Sequence, residues 1–256
     1  MLLTASPGAF ASLVSLPRPR LHENALDQLL GNEQVLVQRN FLAPSLVSAL
    51  LADHASLRAR AGGGPTAIAS ALHGSVEWRM LLPDGPTLDE VADDAVGLRG
   101  RDMLLSLVAD LSSQIEDRTG VALDADCELK YAYYPCGGRY QRHIDGMNAG
   151  SIAREYSFLL YLNEHWTPAD GGHLRIFNGS GQHRDIAPEA GTLVMFKSDV
   201  VPHEVRPTTA ERMAIVGWLH RHQEPPEMDE ESLSELGRAL LEHYRLKGET
   251  IKLPSS

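Results

Sequence analysis

Three side chains of this 256-residue chain have the types and spacing of a metal site. His143 and Asp145 stand two apart in Tyr140-Gln-Arg-His-Ile-Asp-Gly146, and His203 follows in Val201-Pro-His-Glu-Val-Arg206. Side chains alternate along a strand, so a strand running through His143 and Asp145 projects both from one face. Two imidazoles and one carboxylate are the ligand set that holds non-haem Fe(II) while leaving coordination positions open. A His-x-Asp pair by itself carries little information. With 11 His and 16 Asp in the chain, chance supplies about 0.7 such pairs, and there is a second one, His183-Arg-Asp185. From Asp185 only 18 residues remain to His203, room for little more than one strand and its turns. The 58 residues from Asp145 accommodate several strands and can close two sheets around a metal. His183 and Asp185 are therefore read as surface residues of a turn and strand.

Arg212 lies nine residues beyond His203. A turn at Pro207-Thr-Thr-Ala210 is expected to return the chain antiparallel and set Arg212 on a cavity wall, at the start of the apolar strand Met213-Ala-Ile-Val-Gly-Trp218. An unpaired charge opening a buried strand is costly, and a guanidinium is a rigid two-pronged donor suited to a carboxylate. A surface ion pair with Glu211 or Glu204 is the competing reading. Tyr161, taken alone, reads as a core tyrosine, and Trp218 and Phe177 as core residues. His165, His173, His220 and His222 have no spacing that demands a metal. His173 is expected to pack on its strand and Cys136 to be a buried, inert thiol.

The elements that must position these groups are short. From Leu129 onward, β-like runs alternate with turn residues: Leu129 to Tyr134, Tyr156 to Leu162, His173 to Phe177, Gly191 to Phe196, Pro202 to Val205 and Met213 to Leu219. Asp170-Gly-Gly172 and Asn178-Gly-Ser-Gly181 supply turns. No helical pattern intervenes, which predicts an antiparallel sandwich or jelly roll. Upstream, Ala25 to Leu30 is a short helix candidate and Gln34 to Phe41 a strand. Leu46, Val47, Leu50, Leu51 and Leu57 define a helix begun by Pro44, and Leu104 to Ile115 define a second, closed by Gly120. Val76 to Leu82 is a strand candidate, and the Gly- and Pro-rich stretch 61–86 is a candidate covering loop. Glu227 to Tyr244 has the pattern of a charged helix. The expected organisation is a flexible leader over 1–24, a support layer over 25–127, a core over 128–222 in the same domain, and a C-terminal helix and tail over 223–256.

The chain has 23 basic and 34 acidic residues, net −11, which argues against a nucleic-acid or acidic-membrane binder. No apolar run approaches the roughly 20 residues of a membrane span. Residues 128–222 hold ten of each charge, so the acid excess lies outside the core. Two cysteines, Cys127 and Cys136, do not make a disulfide framework. A cytoplasmic location is expected, with the acid-free, serine-containing first 22 residues only faintly like a transit peptide.

From Tyr133 to His220 the chain resembles the Fe(II)- and 2-oxoglutarate-dependent dioxygenases, in particular the prolyl hydroxylases of the oxygen-sensing type that modify hypoxia-inducible factor. The matching pieces are Tyr134-Pro135, Arg142-His-Ile-Asp145, Leu160-Tyr-Leu-Asn163 with Trp166, Gly171-Gly-His-Leu-Arg-Ile-Phe177, Asp185-Ile-Ala-Pro188, Pro202-His-Glu-Val-Arg-Pro207 and Arg212 to Trp218. Each piece is short; their order and spacing together are specific.

The resemblance implies a mostly β fold with supporting α, a double-stranded β-helix of cupin-like, jelly-roll form flanked by N-terminal helices and a C-terminal helix. It implies Fe(II) on His143, Asp145 and His203, and 2-oxoglutarate gripped at its distal carboxylate by Arg212 and Tyr161, with Tyr134, Leu159 and Trp218 lining the pocket. It further implies Arg154 near a substrate groove, dioxygen as oxidant, L-ascorbate as reductant, and a protein or peptide substrate with a target proline. Arginine at position 212 matches the oxygen-sensing group, since collagen-type enzymes usually carry lysine there. Asp145 speaks for hydroxylation, because halogenating relatives have a small residue in its place. The loop from Asp145 to Arg154 is about two residues longer than in the hypoxia-factor enzymes. Two other readings stand beside this one: an oxygenase acting on a small molecule such as a free amino acid, and a non-catalytic metal-binding barrel.

Overall fold

The strands of the core read as nearly unbroken apolar runs because the larger of two sheets is covered on both faces, and each face sorts every second residue. The computed structural model describes residues 19–60, 76–79, 99–147 and 154–222. Within them the order is α1 (Glu23–Leu30), β1 (Val35–Gln38), α2 (Pro44–Arg60), β2 (Val76–Arg79), α3 (Arg99–Thr119), β3 (Leu123–Tyr134), β4 (Tyr140–His143), β5 (Arg154–Tyr161), β6 (Leu174–Phe177), β7 (His183–Ile186), β8 (Leu193–Lys197), β9 (His203–Val205) and β10 (Arg212–Arg221). The leader before residue 19, the covering loop 61–86 apart from β2, residues 148–153 of the Asp145–Arg154 loop, and the C-terminal helix lie outside the described residues. Among the described residues no helix is long and apolar enough to cross a membrane.

A six-stranded sheet runs β1-β8-β5-β10-β3-β2 and a four-stranded sheet β4-β9-β6-β7, with every strand pair antiparallel. From β4 onward the chain passes back and forth between them, with β4, β6, β7 and β9 in the smaller sheet and β5, β8 and β10 in the larger. That winding is the double-stranded β-helix expected from the sequence, and the fold is mostly β with helical support. On the outer face of the large sheet, Tyr131, Tyr156, Phe158, Leu160, Met195 and Ile215 pack with Leu29, Leu50, Leu104 and Leu111 of the helices. On the inner face, Ala132, Tyr134, Leu159, Tyr161, Val194, Phe196 and Ala214 meet Leu174, Ile176, Ile186 and Val205 of the small sheet.

Two expectations need correction. The segment Pro207–Ala210 does not make a hairpin. Both neighbours of β9 are already taken by β4 and β6, so the chain crosses to the large sheet, where β10 is inserted between β5 and β3. Thr208 anchors the crossing: its backbone N–H donates to Gly138 O at 3.0 Å and its hydroxyl to Asp170 O at 3.0 Å. Cys136 is exposed rather than buried, because it lies in the turn after β3, outside both layers.

Gly217 marks the tightest point of the outer face, opposite Phe158 on β5 and Leu129 on β3. A Cβ there would stand 2.5 Å from Phe158 Cε1 and 2.7 Å from Leu129 Cδ2, both in the buried core. Gly217→Ala is therefore expected to destabilise the fold by about 1–3 kcal/mol through overpacking, read as a lower urea midpoint at unchanged slope.

Candidate active site

β10 carries the interior of the barrel along one face. Arg212, Ala214, Val216 and Trp218 alternate inward, and their cross-strand neighbours are Tyr134 and Ala132 on β3, and Tyr161, Leu159 and Ser157 on β5. Arg212 opens this row at one end and Trp218 closes it at the other.

At the Trp218 end lies a cluster that could hold a metal ion. One nitrogen of His143, one of His203 and a carboxylate oxygen of Asp145 all fall within 4.8 Å of one another. His143 and His203 are register partners across β4 and β9. Asp145 does not share their strand. β4 stops at His143, and Asp145 begins a short 3-10 turn through Met147, so the turn, not strand alternation, folds the carboxylate back to 3.1 Å from His143 Nε2. The turn is held by Gly146 N–H donating to Ser198 O at 2.8 Å.

The protein presets each ligand atom. His143 Nδ1 lies 2.8 Å from Gln141 O and His203 Nδ1 lies 3.1 Å from Val201 O. A proton on each Nδ1 satisfies those carbonyls and leaves both Nε2 lone pairs to the cluster. Asp145 Oδ2 accepts from the Ser157 hydroxyl at 2.7 Å and the Trp218 indole N–H at 2.9 Å, which leaves Oδ1 as the oxygen less occupied by protein. Ser157 is fixed in turn by Ser198, hydroxyl to hydroxyl at 2.9 Å. Burial alone would raise the Asp145 carboxyl. A proton on His143 Nε2, a charge on His203 when that ring is protonated, and the Ser157 hydroxyl outweigh it and hold the group well below the ordinary carboxylate range. With both Nε2 atoms as lone pairs, Ser157 and Trp218 are its remaining donors. Burial holds His203 down to about 4, so its imidazole is neutral near pH 7 and available as a ligand.

At the other end Arg212 is 1% exposed, and its Nε donates to Gly172 O at 2.8 Å. Its Nη1 and Nη2, and the Tyr161 hydroxyl, are buried with no hydrogen-bond partner among the described residues. Neither competing carboxylate is used: Glu211 takes the Tyr133 hydroxyl and Glu204 pairs with Arg206. The Arg212 guanidinium sits 4.9 Å from the Tyr134 ring and 5.2 Å from the Tyr161 ring. Burial pushes the Tyr161 phenol up to about 12, with the Arg212 charge acting against the rise, so it remains a donor. The four N–H directions of Nη1 and Nη2 on a buried cation cannot go unmet without large cost. A carboxylate satisfies the two free nitrogens and the phenol together, and the donor set fits an anionic group reaching from the ligand cluster.

The remaining residues fall as follows. Leu159 lines the wall between the two ends, Tyr134 stands beside Arg212, and Trp218 belongs to the Asp145 end. Arg154 binds Glu128 through Nε and Nη2 at 2.9 and 2.6 Å and covers the Trp218 ring at 4.1 Å. His173 meets Trp166 edge-on at 5.0 Å. The second His-x-Asp pair lies on exposed β7, where Asp185 is engaged by Arg175 at 2.7 Å. Sequence reasoning missed Ser157, Ser198, Glu128 and Gly172. Ser157 had a signal, a lone hydroxyl between Tyr156 and Phe158 in an apolar strand.

The model of the 2OG-Fe(II) oxygenase superfamily matches residues 129–220. A prolyl-4-hydroxylase from Pseudomonas putida superposes with a TM-score of 0.64 at 33% identity, covering 78% of this chain and 98% of that one. A prolyl hydroxylase from Trichoplax adhaerens, in complex with a hypoxia inducible factor peptide fragment, gives 0.61 at 26% identity over 77% and 87%. Egl nine homolog 1 of Rattus norvegicus is 36% identical over 121 residues, 45% of this chain and 35% of its own length. Prolyl hydroxylase EGLN3 of Mus musculus is 32% identical over 148 residues, 56% and 61%. The chain spans less than two thirds of these curated relatives. It belongs to the 2OG-Fe(II) oxygenase superfamily, whose members use Fe(II), 2-oxoglutarate and dioxygen.

Gly172 sets the seat of Arg212. It has φ +68°, and a Cβ would stand 2.9 Å from Arg212 Cδ and 3.2 Å from Thr208 Cβ. Gly172→Ala is expected to displace the guanidinium and weaken 2-oxoglutarate binding about 10-fold while leaving Mn(II) affinity unchanged, as measured by calorimetric titration of each.

Proposed function

We propose that this chain hydroxylates a prolyl residue in a protein or peptide, coupled to oxidative decarboxylation of 2-oxoglutarate. The observation that carries the oxygenase reading is the buried, partnerless pair of Arg212 nitrogens and the Tyr161 hydroxyl, set in the same barrel as the His143–Asp145–His203 cluster. A barrel retained only for shape has no use for an unpaired buried cation. The prolyl reading is supported by three of the similar proteins: EGLN3 and the Pseudomonas putida and Trichoplax adhaerens enzymes are prolyl hydroxylases, the last in complex with a hypoxia inducible factor peptide fragment.

In this reading His143, Asp145 and His203 hold Fe(II), and Arg212 and Tyr161 take the distal carboxylate of 2-oxoglutarate. The bound metal, with 2-oxoglutarate and dioxygen, supplies the oxidising power: one oxygen atom ends in succinate and the other in the new hydroxyl, with release of carbon dioxide. The chain's own work is orientation. Backbone carbonyls of Gln141 and Val201 aim the imidazoles, and Ser157 and Trp218 hold one carboxylate oxygen back. Leu159, Ile176, Phe196 and Val205 keep the pocket dry, which strengthens the grip of Arg212 on an anion. Ascorbate would keep the metal ferrous.

Incubation of proline-containing peptides with the protein, Fe(II), ascorbate and 2-oxoglutarate is expected to add one oxygen by mass spectrometry. Succinate release should fall at least 100-fold in His143→Ala and Asp145→Ala. Oxidation of free proline with no peptide modified would replace the peptide reading by the small-molecule one. Wild-type protein that releases no succinate with any substrate tested would sink both.

A further inference from the structure

Arg154 is joined to the metal-ligand carboxylate by an unbroken series of contacts. Glu128 and Ser157 flank Trp218 as its register partners on β3 and β5, so the indole is the middle member of a cross-strand row. A register shift between Leu219 and His220 sets Arg154 opposite His220. There Glu128 receives both: His220 Nε2 lies 3.0 Å from Oε1, and Arg154 donates two parallel bonds at 2.9 and 2.6 Å. The guanidinium, four-fifths covered, lies 4.1 Å from the centre of the indole, and Nη1 reaches Asp145 O at 3.5 Å. Lys130 approaches the same indole at 4.7 Å. The indole N–H then donates to Asp145 Oδ2.

The guanidinium thus has its charge met by Glu128 and one face occupied by Trp218. A group that grips a substrate from the groove would have to be free to donate to it, and Arg154 already donates to Glu128 in the two-pronged geometry that is hardest to displace. Burial works to raise the Glu128 carboxyl, but the bonds from His220 and Arg154 outweigh it and hold it at about 2, so it is an anion at any working pH.

We propose that Glu128 and Arg154 form a brace that fixes the Trp218 indole and through it the Asp145 carboxylate, making both positioning residues of the metal site rather than substrate contacts. The brace rests on reading His143, Asp145 and His203 as the metal site. Its effect is present before any substrate binds, which separates it from a recognition role.

The test uses Co(II) as probe on the full chain without peptide, reading affinity by calorimetry and ligand geometry by the visible absorption of the bound ion. Glu128→Gln and Arg154→Gln are each expected to weaken Co(II) binding about 10-fold, at the lower end for an outer partner of a ligand, and to change the band pattern. Arg154→Lys keeps a cation over the indole but loses the paired bonds, so it should fall between. Trp218→Phe removes the indole donor; in that background Arg154→Gln should cost less than half of what it costs in the wild type, because the indole path is cut and the long 3.5 Å contact to Asp145 O remains. Unchanged Co(II) affinity and spectrum in Glu128→Gln and Arg154→Gln, with only the peptide KM raised, would overturn the brace and restore Arg154 to the groove. Additive losses in the double variant would overturn it as well. Wild-type protein that binds no Co(II) would instead remove the metal-site reading on which the proposal stands.

Discussion

The structure depends on keeping a buried guanidinium half-satisfied. Arg212 is the largest fully buried side chain among the described residues, with one bond to a carbonyl and two nitrogens left over. Such a group is tolerable only if its partner arrives from outside the chain or if the surrounding fold is stable enough to carry the deficit. The barrel does the second and invites the first. Three helices press on the outer face of the large sheet, and the apolar burial there maintains an interior that is not optimised for itself.

The same economy explains why the site lies along one strand. β10 is central in the large sheet, hydrogen-bonded on both sides by β3 and β5. Every second residue faces inward, so a single strand presents a buried cation at Arg212 and a hydrogen-bond donor to the Asp145 carboxylate at Trp218, with only Ala214 and Val216 between them on that face. Six residues of strand span about 20 Å of backbone. The distance between the two functions is thus set by register and cannot drift. Small residues between the ends keep the channel open: Ala132 and Ala214 face each other across β3 and β10.

Much of this was legible in the sequence, and for reasons that can be named. The ligand triad was separable from His183 and Asp185 by the length of chain needed to close two sheets, and the exposed β7 hairpin bears out that distinction. The helices followed from their apolar spacing. What was hidden is what depends on three dimensions. The approach of Asp145 to His143 comes from a 3-10 turn that a strand-based alternation rule cannot anticipate. The crossing at Pro207–Ala210 is indistinguishable in sequence from a hairpin turn, since turn residues record the bend and not the sheet reached afterwards. Ser198 lies 41 residues from Ser157, and Glu128 lies 26 from Arg154 and 92 from His220, and no local pattern links such positions.

Charge shows the same division between local and long-range. The core is balanced in number, ten against ten, but balance alone does not say which ions meet. In the fold, Glu155 is shared by Lys197 and Arg221, Glu128 by Arg154 and His220, Arg175 takes Asp185, and Arg206 takes Glu204. Asp145 is held at the far end of the row by Ser157 and Trp218, and Arg212 is left with a carbonyl and two aromatic faces. The neutrality of the core is thus arranged so that its buried cation remains unspent, and a net balance of charge becomes a local deficit of one anion at the place where an anionic cosubstrate fits.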